Sequence, residues 1–510
     1  MKNALRRIAV VTSLLSLSLI LTAALNAQVL EKSPISGGVL AARAYRAGLL
    51  KPMSTNTLAP DAQSLTCKPA PCILPNAQAS GGGQPVNEDP VAVNLKNPMQ
   101  LLTGGNDYNC PNIQGFYASG DGGSTWTRTC LPGSGGEGDP IVGYDLKNVA
   151  YAGGIQNGDV VLSSSTDNGQ TWGTPVIVST PLLGSLADKP WLEIDTNSSS
   201  PFVNDMYVSI TQFDGASDSE ISVSHSTDGG KTWATVAVDT KQIYPNEVDQ
   251  FSDLAVGADG TVYVSWQRCP ATGPNGDCGG TVAAMLLSKS TDGGATWSVP
   301  VTVATPTLVP DTCGAFYGCL PNTGERVSNI AANAVFGSGA TAKVYLCIYN
   351  WSGSQMQVEV ATSNDGGNTF GAPVRVSNSN KGDQFFQWIN PGKNGSIVVT
   401  WLDRRNDPAN LQYQPAAAIS TNGGVSFSAT HMLSTTMSNP DNDGFGGTFM
   451  GDYRCHVFNG ATMYAVWMDM RTGVSQDEVG GVCFVKPPST QVPDDMGGMA
   501  VPPGKTHCPG

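Results

Sequence analysis

A turn motif that recurs six times constrains this chain more than any other feature. It reads Ser-x-Asp-x-Gly-x-x-Trp at Ser119/Asp121/Gly123/Trp126, Ser165/Asp167/Gly169/Trp172, Ser226/Asp228/Gly230/Trp233 and Ser290/Asp292/Gly294/Trp297. Weaker copies follow at Ser363/Asp365/Gly367/Phe370 and Ser420/Asn422/Gly424/Phe427. Successive copies start 46 to 73 residues apart, the span of one four-stranded propeller blade. One match of this length can arise by chance, but not six in order.

Each unit has the same grammar. An inner strand A begins at an acidic residue, as in Glu88-Asp89-Pro90-Val91-Ala92-Val93, and strand B is apolar and aromatic, as in Val262-Tyr263-Val264-Ser265-Trp266. Strand C leads into the motif and strand D follows its aromatic residue. Alternation, β-branched residues and Gly, Asn and Asp at the turns support an all-β fold. Acidic strand A starts number seven: Asp89, Asp139, Asp188, Asp249, Glu325, Asp383 and Asp452. The last unit has strands A to C but no turn motif, so its outer strand is expected from the N-terminal extension. A β-propeller of seven four-stranded antiparallel blades is favoured; six remain the alternative if the first and last units merge.

Composition narrows the setting. With 60 Gly, 34 Pro and 13% charged residues, the chain is turn-rich and neither helical nor disordered. A net charge of −14 argues against a nucleic-acid backbone or an anionic membrane surface as partner. Lys2, Arg6 and Arg7 precede an apolar run from Ile8 to Leu21 and small residues up to Ala27, which reads as a signal peptide over 1–27. The run is shorter than the ~20 residues of a membrane span. A secreted, periplasmic or cell-surface protein is expected, with a Pro/Gly/Ser-rich extension over 28–85, the propeller over 86–486 and a Pro/Gly-rich tail over 487–510. The twelve cysteines include near pairs Cys67/Cys72, Cys110/Cys130, Cys269/Cys278 and Cys313/Cys319. They read as disulfides rather than zinc ligands, since no Cys-x-x-Cys occurs and the histidines are scattered.

Arginines cluster. Of 12, two lie in the signal peptide, while Arg268, Arg326, Arg405, Arg454 and Arg471 map to strand A starts or strand B ends, at the face opposite the C–D turns. Two sit in a repeated unit, Trp401-x-Asp403-x-Arg405 and Trp467-x-Asp469-x-Arg471. Arginine's planar fork binds carboxylates bidentately, so several forks could clamp a sugar acid. The alternative is that each arginine pairs with a carboxylate of the ring as a structural ion pair. The seven acids likewise read as ring-closing hydrogen-bond acceptors, as a channel cation site, or as one or two acid/base groups. No cofactor is expected, a structural calcium being the one ion this ring suggests.

The turn motif is an Asp box, and over about residues 88–486 the chain resembles the secreted bacterial-type sialidase-like (BNR-repeat) β-propellers. The resemblance implies that the boxes are structural and lie away from the active site. It also implies a tyrosine nucleophile assisted by carboxylates. Tyr453 in Gly451-Asp452-Tyr453-Arg454 is the candidate, with Asp452 and Asp89 as catalytic acids and Arg268, Arg326, Arg405, Arg454, Arg471, Trp401 and Trp467 as substrate-binding residues. The chain lacks the family's Phe/Tyr-Arg-Ile-Pro segment, so an arginine clamp would be assembled differently, from Arg268, Arg405 and Arg471. The expected function is a sialidase-like glycoside hydrolase acting on terminal acidic sugars; the alternative is a non-catalytic glycan- or protein-binding propeller. Glycans or glycoproteins are the expected partners, and a monomer the expected state.

Overall fold

The computed structural model describes residues 33–483 except 58, 61, 66–71, 393–395 and 460–461. The expectations for the signal peptide, the C-terminal tail, Cys67 and Cys508 fall outside these residues. Seven antiparallel sheets form seven blades, which excludes the six-blade alternative. The innermost strands run through Val86–Asn87 with Val91–Val93, then Gly136–Tyr144, Leu186–Ile194, Val248–Val256, Ala332–Phe336, Gln384–Pro391 and His456–Asn459. Each pairs with its own strand B, and sheet order follows chain order in every blade but the last. Both faces of each sheet pack against neighbouring blades, so most inner strands are buried along their whole length.

The last blade is completed by the N-terminal extension, as expected. Cys72–Ile73 and Ala77–Gln78 both pair with Gln476–Cys483, placing residues from near the two chain ends in one sheet. This closes the ring without leaving the last strand as an open edge. Three of the expected disulfides are present, Cys110–Cys130, Cys269–Cys278 and Cys313–Cys319. No helix of the described residues is long and apolar enough to cross a membrane.

The six boxes close the same turn. In each, the Ser hydroxyl donates to the Asp or Asn carbonyl-type oxygen and accepts from the Gly N–H four residues on. The Asp then accepts from the Thr two residues beyond that Gly, as in Thr296 N–H to Asp292 Oδ1 at 2.9 Å and Thr296 O–H to Oδ2 at 2.6 Å. The residue before the box glycine must adopt positive φ; it is Gly in five boxes, and Asn168 takes φ 63° in the other, since Asn tolerates this region best among non-glycine residues. The box aromatic packs at the joint between blades, as Trp172 does edge-on against Phe116 of the preceding blade at 5.8 Å.

Strand A carries a second repeated device. Its pairing with strand B slips in four blades by one extra residue, at Gly138/Ile141, Asp188/Trp191, Gln250/Asp253 and Phe385/Trp388. At or beside these bulges Asp139, Lys189, Phe251 and Phe386 adopt positive φ, and Glu88 does so at the equivalent break in the first blade. Bulges of this kind re-aim side chains, and here they set the residues that ring the channel mouth.

One helix, α1 (Gly37–Arg46), stands apart from the blades. It packs Ala41, Ala42 and Ala44 against Tyr108, Ile113, Phe445 and Phe449 in a small separate cluster. Every described strand lies at Cys72 or beyond, so α1 belongs to no sheet.

Candidate functional site

The strand A mouth is built around an ammonium group. Lys189 is wholly buried, and its Nζ lies 2.8 Å from Glu88 Oε1, 2.9 Å from Asp139 Oδ1 and 3.1 Å from Asp452 Oδ2. Three carboxylates hold its proton and push its pKa up against the opposing effect of burial. Arg326 forms an ion pair with Asp452 at 2.9 Å. Asp452 is buried, yet Arg326 and Lys189 together draw its pKa below the ordinary value. Glu88 is shifted the other way: burial dominates, and its carboxyl is pushed well above the usual range despite Lys189. Burial and Asp139 likewise raise Asp188, to about 7. One cluster therefore holds an ionised carboxylate beside carboxyls that favour the proton.

Aromatic side chains lie among these groups. Tyr453 sits under Lys189, whose Nζ is 4.6 Å from the ring centroid, and packs against Trp191 at 5.1 Å. Trp191 in turn stacks on Trp388 from the sixth blade, with centroids 5.0 Å apart and planes 10° from parallel. The Tyr453 hydroxyl donates to Pro140 O at 3.2 Å, and burial holds its pKa well above the ordinary phenol value.

The mouth is covered by the chain's own N-terminal segment. Tyr317 O–H and Gln250 Nε2 donate to Pro34 O at 2.9 and 3.0 Å, and Arg326 Nη1 donates to Ile35 O at 3.3 Å. Ser36 N–H donates to Asp188 Oδ2 at 2.8 Å, its hydroxyl to Asp139 Oδ2 at 2.9 Å, and Gly37 N–H to Asp452 Oδ2 at 3.1 Å. The positive end of α1 thus points into an acid-rich ring, the arrangement that helix polarity favours. With α1 seated, the crevice among Ser328, Phe386, Asp452 and Tyr453 at the mouth has no room for a water molecule. A groove of ≈ 500 Å³ lies on the outer rim, between strand D of the fifth blade and the box of the sixth.

The sequence-derived candidates are distributed unevenly around this centre. Tyr453, Asp452 and Arg326 meet in it. Asp89 does not: the bulge turns Glu88 toward Lys189, while Asp89 faces Asp477 in the buried seam between the first and last blades. Arg268 is held by Asp249 through two bonds of 2.7 Å and by Asp239 at 2.9 Å. Arg405 grips Asp403 bidentately at 2.9 and 2.6 Å, and Arg471 grips Asp469 at 2.8 and 2.6 Å. The indoles of Trp401 and Trp467 donate to the same two aspartates, and both rings are wholly buried. The Trp-x-Asp-x-Arg unit therefore closes on itself. Arg454 is wholly buried, its Nε donating to Phe386 O at 3.3 Å.

Sequence reasoning missed Glu88, Lys189 and α1. A signal for Lys189 existed: Lys189-Pro190 stands in register with Asp139-Pro140, one position after the acid that was counted. Lys189 lies at the centre of this cluster of acids. Among the described residues, the one grouping of three metal-ligand side chains is Asp311, Cys313 and Cys319, and its thiols form a disulfide.

No family profile matches the chain, and no curated protein does. Several solved structures are similar to it. An ulvan lyase of polysaccharide lyase family PL25 is 12% identical, with a TM-score of 0.48 over 78% of this chain and 94% of that one. The arabinofuranosidase Arb93A of Fusarium graminearum is 13% identical, with a TM-score of 0.41 over 68% and 91%. The intramolecular trans-sialidase of Ruminococcus gnavus is 13% identical, with a TM-score of 0.39 over 62% and 90%.

Proposed function

We propose that this chain is an exported glycoside hydrolase working at the strand A mouth, with Glu88 as proton donor, Asp452 as the ionised carboxylate and Tyr453 as nucleophile. One observation carries the reading. Glu88 and Asp452 converge on the same Lys189 ammonium, yet their proton affinities are driven in opposite directions. Two carboxyl groups set apart in this way are what acid-assisted cleavage of a glycosidic bond requires. Lys189 orients both. Tyr453, between them and the aromatic pair, would attack the anomeric carbon once its proton passes to a neighbouring carboxylate. The acidic-sugar expectation rested on a clamp of Arg268, Arg405 and Arg471, each of which is held by its own aspartate; Arg326 and Lys189 are the cations left at the mouth.

A second reading, a glycan-binding propeller without turnover, is favoured by a different observation: the Tyr453 hydroxyl is tied to Pro140 O and not to a carboxylate. The two are separated by assaying fluorogenic aryl glycosides, a sialoside among them, with the wild-type chain and the Glu88→Gln, Asp452→Asn and Tyr453→Phe variants. The hydrolase reading expects turnover that falls by about 10²–10⁴ when the acid is removed. Full activity in all three variants, or no turnover of any glycoside, would leave the binding reading.

A further inference from the structure

We propose that the seat of α1 is an exchangeable binding site: the segment Pro34–Gly38 occupies it in cis, and an uncharged sugar takes its place when α1 leaves. The proposal rests on the glycan reading above and specifies its ligand and its control.

The occupant shows what the site recognises. Within four consecutive residues the mouth meets two carbonyl acceptors, Pro34 O and Ile35 O, and three donors, Ser36 N–H, Ser36 O–H and Gly37 N–H. The donors fall on Asp188, Asp139 and Asp452, and the acceptors on Tyr317, Gln250 and Arg326. A replacement must both donate and accept at closely spaced points. Neighbouring ring hydroxyls do this, each being one donor and an acceptor. Arg326 Nη2, buried and without a hydrogen-bond partner, offers one further donor at the same place.

Charge selects against a sugar acid. With Glu88 holding its proton, Asp139 and Asp452 pair with Lys189 and Arg326, and Asp188 adds a further negative charge above about pH 7; the positive end of α1 offsets that excess. A carboxylate entering in place of α1 would add to it. The floor beneath is Tyr453 against the Trp191–Trp388 stack, a surface suited to the apolar face of a sugar ring.

Departure of α1 is feasible because no β-ladder depends on it. Its apolar contacts beyond Val39 form the separate cluster with Phe445 and Phe449, and its outer end is held by Arg43 and Arg46 on Glu137, pairs in which each arginine is about one-third exposed. The seating is tight at both glycines: a Cβ on Gly37 would run into the Phe449 ring. A Cβ on Gly38 would lie 2.9 Å from both Asp139 Oδ1 and Glu88 Oε2, and 3.0 Å from Asn106 Nδ2. A side chain there would have to displace these carboxylate and amide ends for α1 to seat as it does.

Two substitutions in the full chain test this. Gly38→Leu pushes α1 off the carboxylates. Ser36→Pro suits the local φ of −56° while removing both donors of that residue. Each variant is digested with trypsin, followed at Arg43 and Arg46, and titrated with glucose, galactose, mannose, xylose, arabinose and N-acetylneuraminic acid. The expected result has three parts: cleavage in α1 at least tenfold faster than in wild type, a propeller that still unfolds cooperatively, and at least tenfold tighter binding of one neutral sugar. Unchanged cleavage in both variants, cleavage only alongside global unfolding, no gain for any neutral sugar, or a preference for N-acetylneuraminic acid would each overturn the proposal. A sugar that binds the opened form while its aryl glycoside is never cleaved would sink the hydrolase reading and leave the exchangeable seat standing. Cleavage of a sialoside would do the reverse.

Discussion

Lys189 Nζ and Glu88 Oε1 lie 2.8 Å apart with both side chains fully buried, and each is delivered by a residue at positive φ in a different blade. An ammonium in this position is the counter-charge for Asp139 and Asp452 as well. Removing one partner of a buried ion pair leaves uncompensated charge, which costs about 3–5 kcal/mol. Lys189→Met should therefore lower unfolding stability by that order at pH 7. The stranded carboxylates can relieve the cost by taking up protons, so the deficit relative to wild type should shrink as pH falls towards 4. Urea unfolding at both pH values checks it; a deficit below 1 kcal/mol at pH 7, or one independent of pH, contradicts it.

Asp292 and Asn422 hold equivalent places in their boxes. Asp292 accepts from Ser290, from Thr296 N–H and from the Thr296 hydroxyl. Asn422 keeps the first two kinds of bond, through Ser420 and Ser426 N–H, and reverses the third by donating to Ser426 Oγ at 2.8 Å. A box thus tolerates an amide but needs the oxygen. Asp292→Asn is expected to change stability by under about 1 kcal/mol, and Asp292→Ala to cost about 1–2 kcal/mol, as for loss of a capping side chain. Hydrogen bonds from Thr296 and Ser290 hold the Asp292 pKa down at about 2. Its contribution is thus present above the ordinary aspartate value and lost as pH falls through about 2. Equal losses in the two variants would refute the reading.

The Trp191–Trp388 stack joins the third and sixth blades across the channel. Trp388 is wholly buried, so its truncation removes both transfer energy and the offset ring contact. Trp388→Ala should cost about 3–5 kcal/mol in urea unfolding. Trp388→Phe should recover a large part of that. If Trp388→Ala cost no more than an exposed substitution, the two rings would not be a structural joint.

What was legible in the sequence followed repetition. Six boxes and seven acidic strand starts specify blades because each copy of the pattern must satisfy the same turn and the same joint. The missing outer strand of the last blade then pointed to the extension, where Cys72–Ile73 and Ala77–Gln78 supply it. What escaped depends on a single residue's placement. A bulge exchanges Glu88 for Asp89 at the mouth, and no periodicity marks the exchange. Arg405 and Arg471 looked like ligands for a sugar acid because their chemistry suits one, but Asp403 and Asp469, two residues earlier, take that role within the same turn. Helix α1 escaped because Gly37 and Gly38 weaken its helical signal, and those glycines lie where it closes on Phe449 and on the Asp139 and Glu88 carboxyls.

Asp89 and Asp477 form another buried acidic pair, at the joint where the ring closes. Both are fully buried, and none of their four oxygens has another hydrogen-bond partner. Two carboxylates in contact in such a place cannot both ionise. Burial is the leading cause that drives both pKa values up, with Asp477 at about 8, and a bond between the two groups forms when one is protonated. In the unfolded chain each titrates near the ordinary aspartate value. The folded state therefore holds a proton that the unfolded state has lost, and stability must fall as pH rises from about 4 to about 8. The slope is at most about 1.4 kcal/mol per pH unit for one proton. Asp477→Asn supplies an amide donor to Asp89 without a titrating proton. It should reduce this slope by the Asp477 share, Asp89 still being raised by burial, and leave the variant more stable than wild type at pH 8 in urea unfolding. A slope undiminished by the substitution would place the titrating proton elsewhere, with Glu88 at the mouth the next group to examine.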